Sequence, residues 1–338
     1  MAGSAAGGAE LFFERLCIAQ HESGLEVLPV IRRQPAREHR LRAGGLSPRT
    51  LAFGGRADLL TPIRLRRVLR DYRPSVAVAW MSRAARAMPR GPWTVVGRLG
   101  GFYDLRHYRR CRHLVGNTVG IVDWIRAQGW PADRVHHLPN FATDFGRAVP
   151  ARPRAIPAGA PLVLALGRLH RNKAFDVLIR AMRHAPEAHL LIAGEGPERH
   201  ALQALADAEG VASRVHMPGW ADDAGALMAA ADLLVCPSRH EPLGNVVIEA
   251  FGAGVPVVAA RSQGPCEIIR PGEDGVLVPL EDPDALGDAI ARILRDRDTA
   301  DMLAANARQR FDREFSAAPV LQRWHEFLEM AGSTPCAA

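Results

Sequence analysis

Ser238-Arg-His-Glu-Pro-Leu-Gly-Asn-Val-Val-Ile-Glu-Ala-Phe-Gly-Ala-Gly-Val-Pro256 is the stretch whose reading decides the fold. It follows an apolar run of strand length at 233–236, and from Gly244 onward its apolar residues take helical spacing over 246–253. A further apolar run at 257–259 comes next. A strand running into a helix and on to another strand is the repeating unit of a parallel sheet with covered faces. Working outward, the same alternation places strands at 162–166, 188–193, 215–217 and 275–278, with helices at 174–183, 199–209, 224–230, 283–295 and 299–311. Towards the front it places strands at 25–31, 50–53, 75–81, 94–97, 114–117 and 135–138. Helices are expected there at 11–20, 59–72, 106–112 and 119–127, and residues 32–48 read as a polar loop. Residues 144–160 hold three prolines without periodicity and read as a linker. The expectation is α/β architecture: two doubly wound Rossmann-like domains facing one another, 1–150 and 151–315, and a terminal helix within 316–330. The chain opens Met1-Ala-Gly-Ser-Ala-Ala-Gly-Gly-Ala-Glu10 with no strand ahead of its first helix. The first strand of the N-terminal domain is therefore expected to be missing.

Of 43 basic residues among 338, 42 are Arg, and Lys173 is the single lysine. Residues 1–150 carry 24 Arg against 11 acids, a net +13, whereas 151–338 carry 19 basic and 25 acidic residues, a net −6. A basic half suits an anionic membrane surface or a phosphorylated substrate. Nucleic acid is disfavoured, because the basic half lacks interleaved aromatics and a recognition-helix motif. No apolar run approaches the roughly 18 residues that span a bilayer, and no signal-peptide pattern is read at the front. The expected location is the cytoplasm, with peripheral contact on the inner face of the plasma membrane. The five cysteines are scattered without a C-x-x-C pair, so they read as packing residues.

Parallel sheets of this kind bind ligands at the carboxyl ends of their strands, and two post-strand loops carry matching chemistry. Glu241 precedes the helix and Glu249 lies eight residues on, a little over two turns, so both carboxylates can face one crevice. Between them the backbone N–H groups of Gly244, Asn245 and Val246 form a helix N-terminus that suits a phosphate. After the strand at 162–166 come Gly167, Arg168 and Lys173. A forked guanidinium and a compact ammonium can together neutralise a diphosphate.

With these residues the chain resembles the GT4 family of retaining GT-B glycosyltransferases, the glycosyl transferases group 1. The resemblance rests on Glu241-x7-Glu249 with Pro242-Leu243-Gly244, on the loop from Gly167-Arg168-Leu169 to Lys173, on Ala193-Gly194-Glu195-Gly196-Pro197, and on Gly7-Gly8-Ala9-Glu10. It covers residues 160–300 strongly and 7–140 loosely. It implies that Arg168 and Lys173 bind the diphosphate of a nucleotide sugar and stabilise the departing nucleoside diphosphate, with Glu241 on the donor sugar and Glu249 on the ribose. Glu195 and the segment Met217-Pro218-Gly219-Trp220 would lie near the base. Gly7 and Gly8 would let the front loop approach donor and acceptor, and 318–330 resembles the helix that crosses back to the N-terminal domain. No cofactor and no metal are implied. Many relatives carry a histidine after the fourth N-domain strand; here that stretch is Ala79-Trp80-Met81-Ser82-Arg83, leaving His107 and His113 as the nearby candidates. The implied activity is retaining sugar transfer from a nucleotide diphosphate donor to an anionic glycan or lipid-linked acceptor, in bacterial envelope polysaccharide or lipopolysaccharide synthesis. The alternatives are a non-catalytic nucleotide-sugar-binding protein and a GT-B-type sugar-nucleotide epimerase.

Overall fold

The computed structural model describes residues 1–3, 8–54, 58, 60–221 and 223–333. The chain divides into two compact units, Met1–Asn140 with Ala317–Ala338, and Phe141–Ser316. Unit 1 begins with α1 (Gly8–Glu22), β1 (Val30–Arg32), α2 (Pro35–Ala43), β2 (Arg49–Leu51), α3 (Leu60–Tyr72) and β3 (Val76–Trp80). It continues with α4 (Met81–Ala87), β4 (Thr94–Leu99), β5 (His113–Gly116), α5 (Val119–Ala127) and β6 (Val135–His137). Unit 2 runs through β7 (Leu162–Leu166), α6 (Phe175–Ala181), β8 (His189–Ala193), α7 (Arg199–Ala208), β9 (Val215–Gly219) and α8 (Ala224–Ala230). It closes with β10 (Leu233–Cys236), α9 (Asn245–Ala253), β11 (Val257–Ala260), α10 (Gln263–Ile268), β12 (Val276–Val278), α11 (Pro283–Arg295) and α12 (Arg297–Arg310). The last helix, α13 (Ala317–Ser333), belongs to unit 1.

In unit 2 six parallel strands are ordered β12-β11-β10-β7-β8-β9. Each central strand is an unbroken apolar run, buried on both faces because helices cover both. This order puts the loops after β10, β7, β8 and β9 side by side at one edge. Residues 144–160 are no free linker: Ile156 is buried in the unit 2 core, Phe145 packs against it, and Arg152 pairs with Asp232 at 3.9 Å. The boundary therefore falls at 140/141, ahead of the prolines, because apolar anchors hold the segment despite its lack of periodicity.

Unit 1 has a divided sheet, β1-β2 and β3-β4-β5-β6, all parallel. Among the described residues no strand joins β1 to β3. Between them lies a cavity of about 490 Å³, edged by Val27–Val30 on one side and Ser75–Ala79 on the other, and faced by Phe13, Leu16 and Cys17 of α1. The Met1 nitrogen donates to Val30 O (2.7 Å) and Arg32 N–H donates to Met1 O (3.0 Å), which is the parallel pairing pattern opposite Ile31. Met1 thus occupies a strand position at the mouth of that cavity. The expected loop at 32–48 instead contains α2. Its start is capped by Gln34, whose side chain accepts from Arg37 N at 2.6 Å, and Leu41 anchors it. Arg37 and Arg40 both donate to the buried Glu14 of α1, at 2.9 and 2.5 Å, so a polar helix docks through charge where periodicity gave no signal. Residues 106–112 form only a 3-10 turn, Leu105–Tyr108.

Candidate functional site

At the carboxyl edge of the unit 2 sheet the chain turns sharply after each strand. Gly194 shows why a side chain is excluded there: a Cβ on it would lie 1.9 Å from Gly167 O. That close approach brings the loops after β7 and β8 together, and Leu169 N–H donates to Glu195 O (2.9 Å) while Gly194 N–H donates to Gly219 O (2.7 Å). The first loop makes a 3-10 turn, Arg171–Lys173, and enters α6 through Ala174, which holds φ 53°. A left-handed alanine costs about 1–2 kcal/mol, so the surrounding structure enforces this turn, which sets the direction of Lys173.

Lys173 Nζ donates to Glu241 Oε2, joining the loop after β7 to the loop after β10. Ser238 Oγ donates to the same carboxylate oxygen at 3.4 Å, and Glu241 Oε1 accepts from Gly244 N–H at 3.3 Å. Gly244 itself takes φ 79°, the left-handed region that glycine adopts freely, and so starts α9 at a sharp angle. The amides of Asn245 and Val246 open α9 beside Glu241, and a helix N-terminus carries partial positive charge. Arg168 is exposed and makes no ion pair among the described residues. Glu249 sits in the second turn of α9, half-buried. Leu243 lies in the turn between Glu241 and Gly244. Gly167, Arg168, Lys173, Glu241, Gly244, Asn245 and Val246 thus converge on one edge, where two cations and a helix N-terminus can receive a diphosphate and two carboxylates can receive hydroxyls.

Glu195 lies after β8, and a Cβ on Gly219 would meet its Oε1 at 3.0 Å. Arg199 forks onto Glu195 at 3.0 and 2.7 Å and also donates to Met217 O at 2.8 Å, fixing that carboxylate against the end of β9. Trp220, 66% exposed, follows. Sequence reading missed Arg199, although its i+4 spacing from Glu195 was a usable signal. It also missed Arg239, which forks onto Asp176 at 2.8 and 2.7 Å, donates to Arg171 O at 2.8 Å and pairs with Glu281. Burial alone would push the Asp176 carboxyl up, but the Arg239 hydrogen bonds hold it below the usual range. Burial pushes the Cys236 thiol, beneath Ser238, up to about 11, which keeps it neutral and inert.

Unit 1 fits the expectations less well. Gly7 lies outside the described residues, and Gly8 is already the first residue of α1, so it is no part of a loop. His113 stands at the amino-terminal start of β5, where its Nδ1 meets His136 Nε2 at 3.0 Å. That is the wrong edge of the sheet for acid–base chemistry on a ligand held at the carboxyl ends. Sequence reading overlooked Arg98 at the end of β4. It is 1% exposed, stacks on Trp80 and Phe12 (4.6 and 5.6 Å to the ring centroids) and donates to Asn140 Oδ1 at 2.6 Å. Its Nε and Nη1 are buried without a hydrogen-bond partner, and burial lowers its pKa to about 10. A charged residue inside the apolar run 94–99 was the signal that went unused.

The profile of the family Glycosyl transferases group 1 matches residues 151–310. The lipopolysaccharide core biosynthesis glycosyltransferase LpsE of Rhizobium meliloti strain 1021 is 35% identical over 341 residues, covering 97% of each chain. LpsD of the same organism, also a lipopolysaccharide core biosynthesis glycosyltransferase, is 34% identical over 337 residues, covering 96% of this chain and 95% of its own. The crystal structure of Anabaena HepE in complex with UDP superposes with a TM-score of 0.82 at 20% identity, covering 97% of this chain and 98% of that one. Two Rossmann-like units with this sheet order are the GT-B fold. With near full-length relatives of this kind and the matched profile spanning the loops that hold Lys173 and Glu241, the chain belongs to the glycosyl transferases group 1 and is a glycosyltransferase.

Proposed function

We propose that the enzyme transfers a sugar, with retention of anomeric configuration, from a nucleoside diphosphate donor to an anionic glycan acceptor of the lipopolysaccharide core type. The observation that carries this reading is the convergence of Arg168, Lys173, Glu241 and the α9 N-terminus on one sheet edge. Lys173 pairs with Glu241. An arriving diphosphate offers Lys173 a doubly charged partner, and its oxygens also meet Arg168 and the Asn245 and Val246 amides. Glu241 is then released to accept from hydroxyls of the donor sugar, beside the bond that breaks. Glu249, deeper along α9, takes the ribose hydroxyls, and Glu195 with Gly219 borders the base. As that bond lengthens, charge grows on the leaving diphosphate, and fixed positive groups stabilise that charge more than they stabilise the bound donor. Two side-chain cations and a helix N-terminus supply this stabilisation, so the reading needs no metal.

The acceptor class follows from the relatives' names and from the basic character of residues 1–150. No described helix is long and apolar enough to cross a membrane. Helix α3 instead exposes Leu60 and Ile63 beside Arg64, Arg67 and Arg70, a pattern that suits peripheral contact with an anionic bilayer. The test is mass spectrometry of reactions that pair a panel of nucleotide sugars with lipopolysaccharide core acceptors, and NMR of the product anomer. An α-linked product from an α-linked donor is expected. An inverted product, or conversion of donor without acceptor to an epimer, overturns the reading.

A further inference from the structure

A second cavity, about 620 Å³, opens on unit 1 between the 3-10 turn Leu105–Tyr108 and the carboxyl end of α5. Four arginines, Arg106, Arg109, Arg112 and Arg134, and two indoles, Trp124 and Trp130, line it. Arg112 and Arg134 immediately precede β5 and β6. The cavity therefore lies towards the amino-terminal edge of the four-stranded sheet, opposite the edge at which Arg98 stands and at which such sheets hold reacting ligands. It is a separate place from the carboxyl edge of its own sheet.

Its lining has a definite chemistry. The one carboxylate in it, Asp104, is already occupied by Arg106, which donates at 3.0 and 2.8 Å through Nε. Arg109 is exposed and makes no ion pair among the described residues, and the nearest carboxylate to Arg134 is Asp133, at 4.0 Å. Positive charge is thus left over at the cavity wall, in the residue type that pairs bidentately with phosphate. Trp124 is held edge to face against Phe102 (5.5 Å, 86°), which fixes its ring plane, and the buried Trp130 Nε1 has no hydrogen-bond partner. A fixed indole face packs against the C–H face of a sugar ring. The volume falls within the roughly 300–1,000 Å³ of small-molecule sites.

We propose that this cavity is a second saccharide site, which binds a phosphorylated sugar and so anchors a phosphate-bearing part of the acceptor away from the reacting edge. The assignment is independent of the donor site, so Lys173→Ala, whatever it does to transfer, leaves binding here unchanged. The probe is a hexose phosphate, titrated into the full chain by calorimetry and tryptophan fluorescence, with the free hexose and inorganic phosphate as controls. The hexose phosphate is expected to bind at least about tenfold more tightly than either control, and the exposed-site double variant Arg109→Ala/Arg134→Ala is expected to lose about tenfold or more. Trp124→Phe, which keeps an aromatic face, is expected to retain binding while losing most of the fluorescence change. Equal affinity for inorganic phosphate, or binding indifferent to the two arginines in a variant that unfolds at the parent temperature, overturns the proposal. Vesicles of phosphatidylcholine doped with a phosphorylated phosphatidylinositol distinguish the sources. Sedimentation that depends on Arg109 and Arg134 and is competed by the hexose phosphate assigns the ligand to a membrane glycolipid; binding of the soluble probe alone assigns it to a soluble glycan.

Discussion

Unit 2 and unit 1 are both parallel sheets wrapped in helices, yet they are assembled by different forces. In unit 2 six strands form one ladder, and the candidate loops are tied across its edge by Lys173–Glu241, Arg199–Met217 O and Arg239–Asp176. Charge there is local and paired. In unit 1 the ladder is broken between β1 and β3, a polar helix is held by the Glu14 clamp, and Arg98 is buried with two open donor atoms. Charge in unit 1 does work that apolar packing does in unit 2. The comparison teaches that the net +13 of residues 1–150 is no uniform solvated coat: some of it is structural, and some of it, such as Arg109, stands at the Trp124 cavity without an ion pair among the described residues.

The sharpest way to break this contrast is at Lys173. Lys173→Ala should lower the turnover of sugar transfer by about 10²–10³-fold, because a fixed charge on a developing anion is lost, while leaving the unfolding of unit 1 untouched. Lys173→Arg should recover little of it, since the planar guanidinium does not replace a compact charge on so tight a contact. Steady-state kinetics with the cognate donor checks both; a fully active alanine variant would remove Lys173 from the site. In unit 1 the corresponding weak point is Glu14. Glu14→Ala takes the carboxylate from a fully buried Arg37 and should cost about 3–5 kcal/mol, read as a separate early transition of unit 1 in calorimetry. A single unshifted transition would mean that α2 docks by other contacts.

Two smaller effects sharpen the same comparison. A short β-branched segment fused ahead of Met1, continuing its pairing with β1, should stabilise unit 1 by about 2 kcal/mol through burial of apolar side chains. It should also slow labelling of the Cys17 thiol, which faces the cavity; unchanged labelling and melting would show that the segment does not enter. The smallest effect is that of pH. Burial, reinforced by His113 and Arg126 and opposed by Asp133, lowers the His136 pKa from 6.5 to about 4. The unfolded chain therefore binds the proton first, and stability is present above pH 6.5 and falls as pH drops towards 4. Phe327 of α13 packs on His113 and His136, so the loosening begins at that helix. His136→Gln should flatten the pH dependence of the unit 1 melting temperature, and an unaltered slope would assign it to other groups.

The fold of unit 2 was largely legible because each of its candidate loops follows an unbroken apolar strand, at Leu162–Leu166 and Leu233–Cys236. What stayed hidden there were the supporting arginines, Arg199 and Arg239, whose partners are distant in sequence or read as ordinary surface charge. In unit 1 periodicity failed where packing is not its organiser. Helix α2 has only Leu41 as an apolar anchor, and α4 begins directly at Met81, the last residue read as strand. The prolines of 144–160 suggested a loose connection, whereas Phe145 and Ile156 pin the segment into unit 2. Such anchors are single residues, too few to make a pattern.

The cavity between β1 and β3 also leaves backbone groups within reach of water. It opens to solvent beside Val27–Val30 and Ser75–Ala79, and a strand edge without a neighbour leaves N–H and C=O groups outside any ladder. Amide hydrogens along those two edges should therefore exchange for deuterium sooner than those of β7 and β10, which are paired on both sides, while Lys173 and Glu241 still hold their edge of the unit 2 sheet.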